Sequence, residues 1–373
     1  MSSHRFDSGV YARRLAAASA GAAAANLAGL VITPGYDLRY LIGSRAETFE
    51  RLTALVIPAS GTPSVVLPKL ELAALRDSAT TDLGVAVCDW VDGSDPYGLV
   101  VEALGGPGPI GVTDSMPALH LIPLAERLGV APVLATGVLA ALRMIKDEAE
   151  IAALRDAGAA IDRVHALVPE FLRPGRTEAD VSADLAKAIV AEGHTAPAFI
   201  IVGSGPNGAD PHHECSDRVL EVGDIVVVDI GGPVEPGYNS DCTRTYSLGT
   251  PAQEIAAQYA VLRDAQRSAV AAIRPGMTAR SIDETARNML IDNQLGDYFV
   301  HRTGHGIGLS VHEEPYIVAG NELSLQPGMV FSVEPGIYFP GRWGARIEDI
   351  VVVTAEGAVS LNNRPRELTV VPA

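Results

Sequence analysis

Four acidic residues sit in apolar, strand-like runs: Asp229 in IVVVDIGG, Asp241 in NSDCTRTY, Glu334 in VFSVEPG and Glu348 in ARIEDIVVV. A charge in such a setting is costly unless it is paired or bound to a metal. If the four were gathered at one place, each pair about 4 Å apart would repel by roughly 4 kcal/mol at an effective dielectric of about 20. Two divalent cations cancel four carboxylates, and an oxygen-dominated donor set with one imidazole suits Mn²⁺ or Co²⁺, with Zn²⁺ also compatible. The imidazole is expected from the stretch HRTGHGIGLSVHEEP, where His305 lies between Gly304 and Gly306, which let backbone and metal approach closely. His301 and His312 then remain, with His212, to line a substrate cavity as proton donors or acceptors. Arg346 precedes Glu348 by two residues, so on a strand the two share a face and the guanidinium can brace a ligand or substrate carboxylate.

What would bring such residues together is a duplication. RPGRTEADV at 173–181 is echoed by RPGMTARSI at 274–282, a shift of 101. Each copy is followed by a helix and then by a Gly-rich segment ending in histidine, His212 in the first and His312 in the second. Each copy closes with two strand-like runs carrying one acid apiece, and Asp229 to Glu334 and Asp241 to Glu348 are shifts of 105 and 107. A two-fold duplicated sheet would place all four near its axis.

Upstream the pattern is different. Short β-branched runs alternate with helical ones (LVITP from 30, TALVIPAS from 53, PSVVLP from 63, GVAVCDW from 84, PIGVTD from 109), which predicts an α/β domain over 1–140. Within it Asp89, Asp92, Asp95 and Asp114 have no spacing that builds a site. A long helix is expected where Ile151, Leu154, Gly158, Ile161 and Val168 recur, capped by Asp147, and it opens a second domain over 145–373.

Composition narrows the function further. The chain of 373 residues has a net charge of −17, with 28 Lys plus Arg against 45 Asp plus Glu, which opposes binding to nucleic acid. Three scattered cysteines, Cys88, Cys215 and Cys242, argue against a disulfide scaffold or a zinc finger and fit a reducing, cytoplasmic setting. The alanine-rich run after Arg13 and Arg14 reads as helix then strand and not as an export signal, and the absence of a long apolar run argues against a membrane span. GSGPNG at 203–208 matches a dinucleotide fingerprint, but Pro206 and the ADPHHE after the motif do not open a helix. HEEP lacks the second histidine of a thermolysin-like site, and strand alternation turns Cys242 away from Asp241 into packing.

The ordered set Asp229, Asp241, His305, Glu334 and Glu348, in the strings VVVDIGG, YNSDCTRT, HRTGHGIGLSVHEEP, VFSVEPGIY and RIED, resembles the metal site of the methionine aminopeptidase and Xaa-Pro peptidase superfamily. The resemblance spans nearly the whole chain. It implies an α+β fold: a C-terminal "pita-bread" (creatinase) catalytic domain built from a pseudo-two-fold repeat, preceded by the α/β domain of Xaa-Pro dipeptidases and aminopeptidases P. It also implies two bound divalent ions, with Asp241 and Glu348 bridging them, Asp229 completing one shell, and His305 with Glu334 the other. A water or hydroxide between the ions would be the nucleophile, and Glu334 would pass its proton to the proline nitrogen as it leaves. His212, His301 and His312 match the histidines that orient the scissile carbonyl and stabilise its oxyanion. The expected activity is that of an Xaa-Pro dipeptidase, a cytoplasmic metallopeptidase acting on short proline-containing peptides and forming a homodimer. The alternatives are an aminopeptidase P acting on longer peptides and an inactive binding module of the same fold. Creatinase, which shares the fold but lacks the ligands, is set aside because all five are present here.

Overall fold

The alanine-rich stretch folds into helix α1 (Ser8–Ala24), started by Asp7, whose carboxylate accepts from the Gly9 amide at 2.8 Å, and it leads directly into strand β1. The coordinates are a computed structural model that describes residues 5–47 and 50–372. The chain forms two compact units, residues 1–143 and 144–373.

In the first unit each of the five β-branched runs becomes a strand: β1 (Gly29–Ile32), β2 (Ala54–Pro58), β3 (Ser64–Pro68), β4 (Ala86–Trp90) and β5 (Ile110–Val112). A sixth, β6 (Val133–Leu134), has only two residues, both exposed, which is too short for a sequence pattern to reveal. The sheet order is β4-β3-β2-β1-β5-β6. Its central strands are buried along their whole length and so read as unbroken apolar runs, whereas edge strand β4 is half exposed. Helices α2 (Tyr36–Ile42), α3 (Pro96–Ala103), α4 (Ala118–Leu128) and α5 (Thr136–Met144) complete the unit.

The second unit opens with helix α6 (Glu148–Phe171), whose N-terminus is a reciprocal cap between Asp147 and Glu150. The sequence repeat is also a repeat of hydrogen bonds. Thr177 caps α7 (Glu178–Ala191) and Thr278 caps α9 (Ala279–Asp292), each through its hydroxyl. Gly175 and Gly276 both take the left-handed conformation, at φ 91° and 87°, that the turn before each cap requires. Leu220 donates to the Arg176 carbonyl and Leu325 to that of Met277, both at 2.8 Å. Between the copies runs α8 (Gln253–Ala272).

Each copy supplies a half-sheet. The first has order β17-β9-β8-β7, from β7 (Phe199–Ser204), β8 (Ile225–Val234), β9 (Tyr238–Leu248) and, added from beyond the second copy, β17 (Thr369–Val371). The second has order β11-β10-β12-β15-β16, from β10 (Gly304–Gly306), β11 (Glu313–Ile317), β12 (Val330–Val333), β15 (Asp349–Thr354) and β16 (Gly357–Ser360). In the first copy β8 and β9 pair without interruption. In the second a hairpin of β13 (Gly336–Phe339) and β14 (Trp343–Arg346) is inserted between β12 and β15. The half-sheets meet along β9, where the Glu348 amide donates to Thr243 O at 3.1 Å and the Asn239 amide to Gly308 O at 2.9 Å.

Behind this seam lies a buried histidine that sequence reading did not single out. His165 on α6 contacts the Cys242 carbonyl through Nε2 at 2.9 Å and the Tyr246 hydroxyl through Nδ1 at 3.0 Å. A carbonyl only accepts, so Nε2 carries a proton. Burial, reinforced by the nearby Arg244, holds its pKa down to about 3. Below pH 6.5 the unfolded chain takes up a proton that the folded one refuses, so this group withdraws about 1.4 kcal/mol of stability per pH unit as the pH falls toward 3. Urea unfolding of wild type and His165→Gln at pH 7 and pH 5 should differ in their acid loss by about 2 kcal/mol, the wild type losing more. Equal losses would show that the ring takes up its proton in the fold as readily as in the unfolded chain.

Candidate metal centre

Strand alternation and the β8–β9 register place Asp229 opposite Thr243 and Asp241 opposite Gly231, two steps apart on one face of the first half-sheet. In the second copy the acids are not inside strands as expected. Glu334 lies just past the last residue of β12 and Glu348 precedes the first of β15, because the β13–β14 hairpin opens the strand pair there. The register Val333 with Asp349 brings these two positions across from each other. The four carboxylates, His212, His301, His305, His312 and Arg346 all line one cavity of about 680 Å³.

Within it Asp241, His305 and Glu348, all buried, each offer a ligand atom within 4.8 Å of the others. His305 Nε2 lies 3.2 Å from Glu334 Oε1 and 3.7 Å from Asp241 Oδ2. Its Nδ1 donates to the Gly306 carbonyl at 3.1 Å, which aims Nε2, the nitrogen a metal would use, at the carboxylates. The glycines flanking His305 admit a close backbone approach, as expected. A Cβ on Gly304 would collide with the Ser332 carbonyl and one on Gly306 with that of Glu314, so it is the neighbouring strands that they admit.

Arg346 braces a carboxylate of the candidate ligand set, as expected, but not the one whose strand face it was read to share. Strand β14 ends at this residue, and the guanidinium reaches across to Asp229 at 2.6 Å instead of to Glu348. It further donates to the Tyr338 hydroxyl at 2.7 Å and to Thr243 Oγ1 at 3.1 Å. Tyr338 in turn donates to His301 Nε2 at 2.9 Å, since His301 Nδ1 is occupied in donating to the Arg302 carbonyl at 2.7 Å. Thr243 donates to Glu348 Oε2 at 2.8 Å, and Ser332 to Glu334 Oε1 at 2.9 Å. Sequence reading missed these three supports. Thr243 and Ser332 were within reach, each lying two residues from an acid and so on its face of a strand. Tyr338 gave no such signal, because the inserted hairpin alone delivers it.

The electrostatics are those of a crowded anionic site. Burial, then the charge of Asp229, pushes Asp241 well above the ordinary carboxylate range, and burial together with Asp241 does the same to Glu348. Burial alone would raise Glu334 and lower His305, but their mutual hydrogen bond wins, holding Glu334 down and His305 up. His301 is held down by burial, and His312, whose ring centre is 4.1 Å from that of His305, is lowered to about 4 by partial burial and the charge of His305. Asp229 Oδ1 and Glu348 Oε1 are buried with no hydrogen-bond partner. Buried carboxylate oxygens without donors, beside one imidazole lone pair, fit divalent cations.

Residues 152–355 match the metallopeptidase family M24, and residues 14–145 match the creatinase/prolidase N-terminal domain. The chain therefore belongs to the M24 metallopeptidases, and it is a metal-dependent peptidase with the pita-bread fold behind a creatinase-type N-terminal domain. It is 71% identical over 373 residues to a probable dipeptidase PepE of Mycobacterium bovis, covering 100% of both chains. The crystal structure of dipeptidase PepE from Mycobacterium ulcerans superposes with a TM-score of 0.96 at 72% identity, over 99% of this chain and 100% of that one. An Xaa-Pro dipeptidase of Lactobacillus helveticus is 32% identical over 344 residues, 90% of this chain and 92% of that protein.

Proposed function

We propose that this peptidase is an Xaa-Pro dipeptidase working with two divalent ions, Mn²⁺ first among them, held by Asp229, Asp241, His305, Glu334 and Glu348. The observation that carries this is the pair of donorless buried oxygens, Asp229 Oδ1 and Glu348 Oε1, in a cavity of about 680 Å³, sized for a dipeptide. When bound, such ions supply Lewis acidity and lower the pKa of a water toward neutrality. Glu334, ionised and anchored by Ser332, accepts a proton at its free oxygen and delivers it to the leaving proline nitrogen. His301, fixed by Tyr338, presents a set tautomer to the cavity, and His212 and His312, at its solvent-exposed side, orient the scissile carbonyl. Arg346 holds Asp229 in place through Oδ2 and leaves Oδ1 without a donor. Cytoplasmic residence, supported by three unpaired cysteines, and a homodimer, which rests on the family resemblance, complete the reading. Among the described residues no helix is long and apolar enough to cross a membrane.

The test is a hydrolysis panel of Xaa-Pro dipeptides against Xaa-Pro-Yaa tripeptides with Mn²⁺, Co²⁺ and Zn²⁺ supplied in turn, alongside metal analysis. Preference for dipeptides, with about two ions per chain, is expected. Preference for tripeptides would move the protein to the aminopeptidase P class. A folded, metal-free chain indifferent to chelator would make it a binding module.

A further inference from the structure

A second cavity, of about 980 Å³, lies in the second unit and has the opposite charge. Its lining carries Arg263 and Arg267 from α8, Arg274 just beyond that helix, and Arg364 and Arg366 from the segment after β16. Glu356 and Glu367 are the acids of this lining, and Asp264 and Asp349 outside it pair with three of the arginines, so five positive charges meet four negative ones in a chain whose net charge is −17.

The internal partners of these arginines leave most of their donors unused. Arg263 and Arg267 share Asp264 in surface pairs at 3.2 and 3.3 Å, which hold little energy. Arg274 uses Nη1 on the carbonyls of Ala271 and Ile273. Arg366 is tied to Asp349 and Ser360, while the Arg364 side chain has no carboxylate partner among the described residues. Each guanidinium carries five donors in a planar fork that matches phosphate oxygens in pairs.

We propose that this cavity binds a small molecule carrying more than one phosphate group. Its volume suits such a ligand, and convergent forks from two chain segments give the bidentate recognition that phosphate rewards. The cavity also adjoins the groups that seat Glu348. Gln266 and Arg366, both in the lining, bond Asp349, with Gln266 at 2.9 Å, and Asp349 is the next residue after Glu348 in the chain. Buried Arg244 ties the carbonyls of Arg364 and Pro365, each at 2.9 Å, to the Glu348 carbonyl at 2.5 Å.

The experiment is calorimetric titration of the full-length chain with fructose 1,6-bisphosphate, and in a parallel arm with tricarballylate, a carboxylate of similar charge. Saturable binding of the bisphosphate is expected, weakened by at least about 100-fold in the double variant Arg267→Glu/Arg364→Glu. Binding should persist in Asp241→Asn, and the double variant should hydrolyse Xaa-Pro dipeptides at the wild-type rate, which separates this site from the carboxylate cavity. The proposal is overturned by no binding up to about 10 mM, by binding that the double variant leaves intact, or by binding lost in Asp241→Asn, which would put the anion on the metal centre. Binding of tricarballylate alone would overturn the phosphate assignment.

Discussion

Asp241→Asn is expected to lower kcat/KM for Xaa-Pro hydrolysis by at least about a thousandfold while making the metal-free protein more stable than metal-free wild type. The two effects have one cause. Asp241 is buried beside Asp229, Glu334 and Glu348, and its pKa is raised well above the ordinary carboxylate range. A raised folded-state pKa contributes stability that is fully present below the unfolded value near 4 and is lost as pH rises toward the folded one. Metal-free wild type should therefore melt at a lower temperature at pH 8 than at pH 5 through this group, and Glu348 adds to the same slope. Asparagine keeps the shape and removes the charge, so the variant should melt higher at pH 8 without metal, show a shallower slope, and lose the rise in melting temperature that added Mn²⁺ gives the wild type. The measurement is a set of thermal melts with chelator and with Mn²⁺, beside metal analysis. A variant that still binds metal and turns over substrate would remove Asp241 from the centre altogether.

For Arg346→Met the expected signs are reversed. Arg346 is buried, and its guanidinium engages Asp229, Tyr338 and Thr243 at once. Removing one partner of a buried ion pair leaves an uncompensated charge and costs about 3–5 kcal/mol. Bound cations would neutralise Asp229 from its other oxygen, so the loss of stability should be largest in the metal-free protein and should shrink when Mn²⁺ is added. Lysine should rescue little, because a point charge cannot hold three oxygens in the geometry of a planar fork. Melts of the methionine and lysine variants, with and without metal, decide the matter. A loss that is the same in both conditions would mean that Asp229 never meets a cation.

These variants also mark where sequence reading succeeds and where it stops. Asp229, Asp241, Glu334 and Glu348 could be picked out from sequence because ionisable groups in apolar runs violate local rules, and such violations concentrate where a protein does chemistry, while His305 was picked out by the glycines on either side of it. The cap at Asp147 was legible for a related reason, since helix starts are encoded within a few residues. The partner of Arg346 was not legible. Two-residue spacing holds only while a strand continues, and β14 ends at Arg346, sending its side chain to a strand of the other repeat.

The same division holds for the rest of the molecule. His165, Tyr338, the cavity lined by Arg263 and Arg364, and the strand that Gly304 admits all depend on contacts between segments far apart in the chain. Local sequence was enough to place the five longer strands of the first unit and helix α6, and to say which residues are too costly to be merely structural, because period, capping and charge act over a few residues. Which oxygen faces which nitrogen was settled by the folded chain alone. That depends on where two half-sheets meet and on the hairpin inserted between β12 and β15, and neither is written in any single segment.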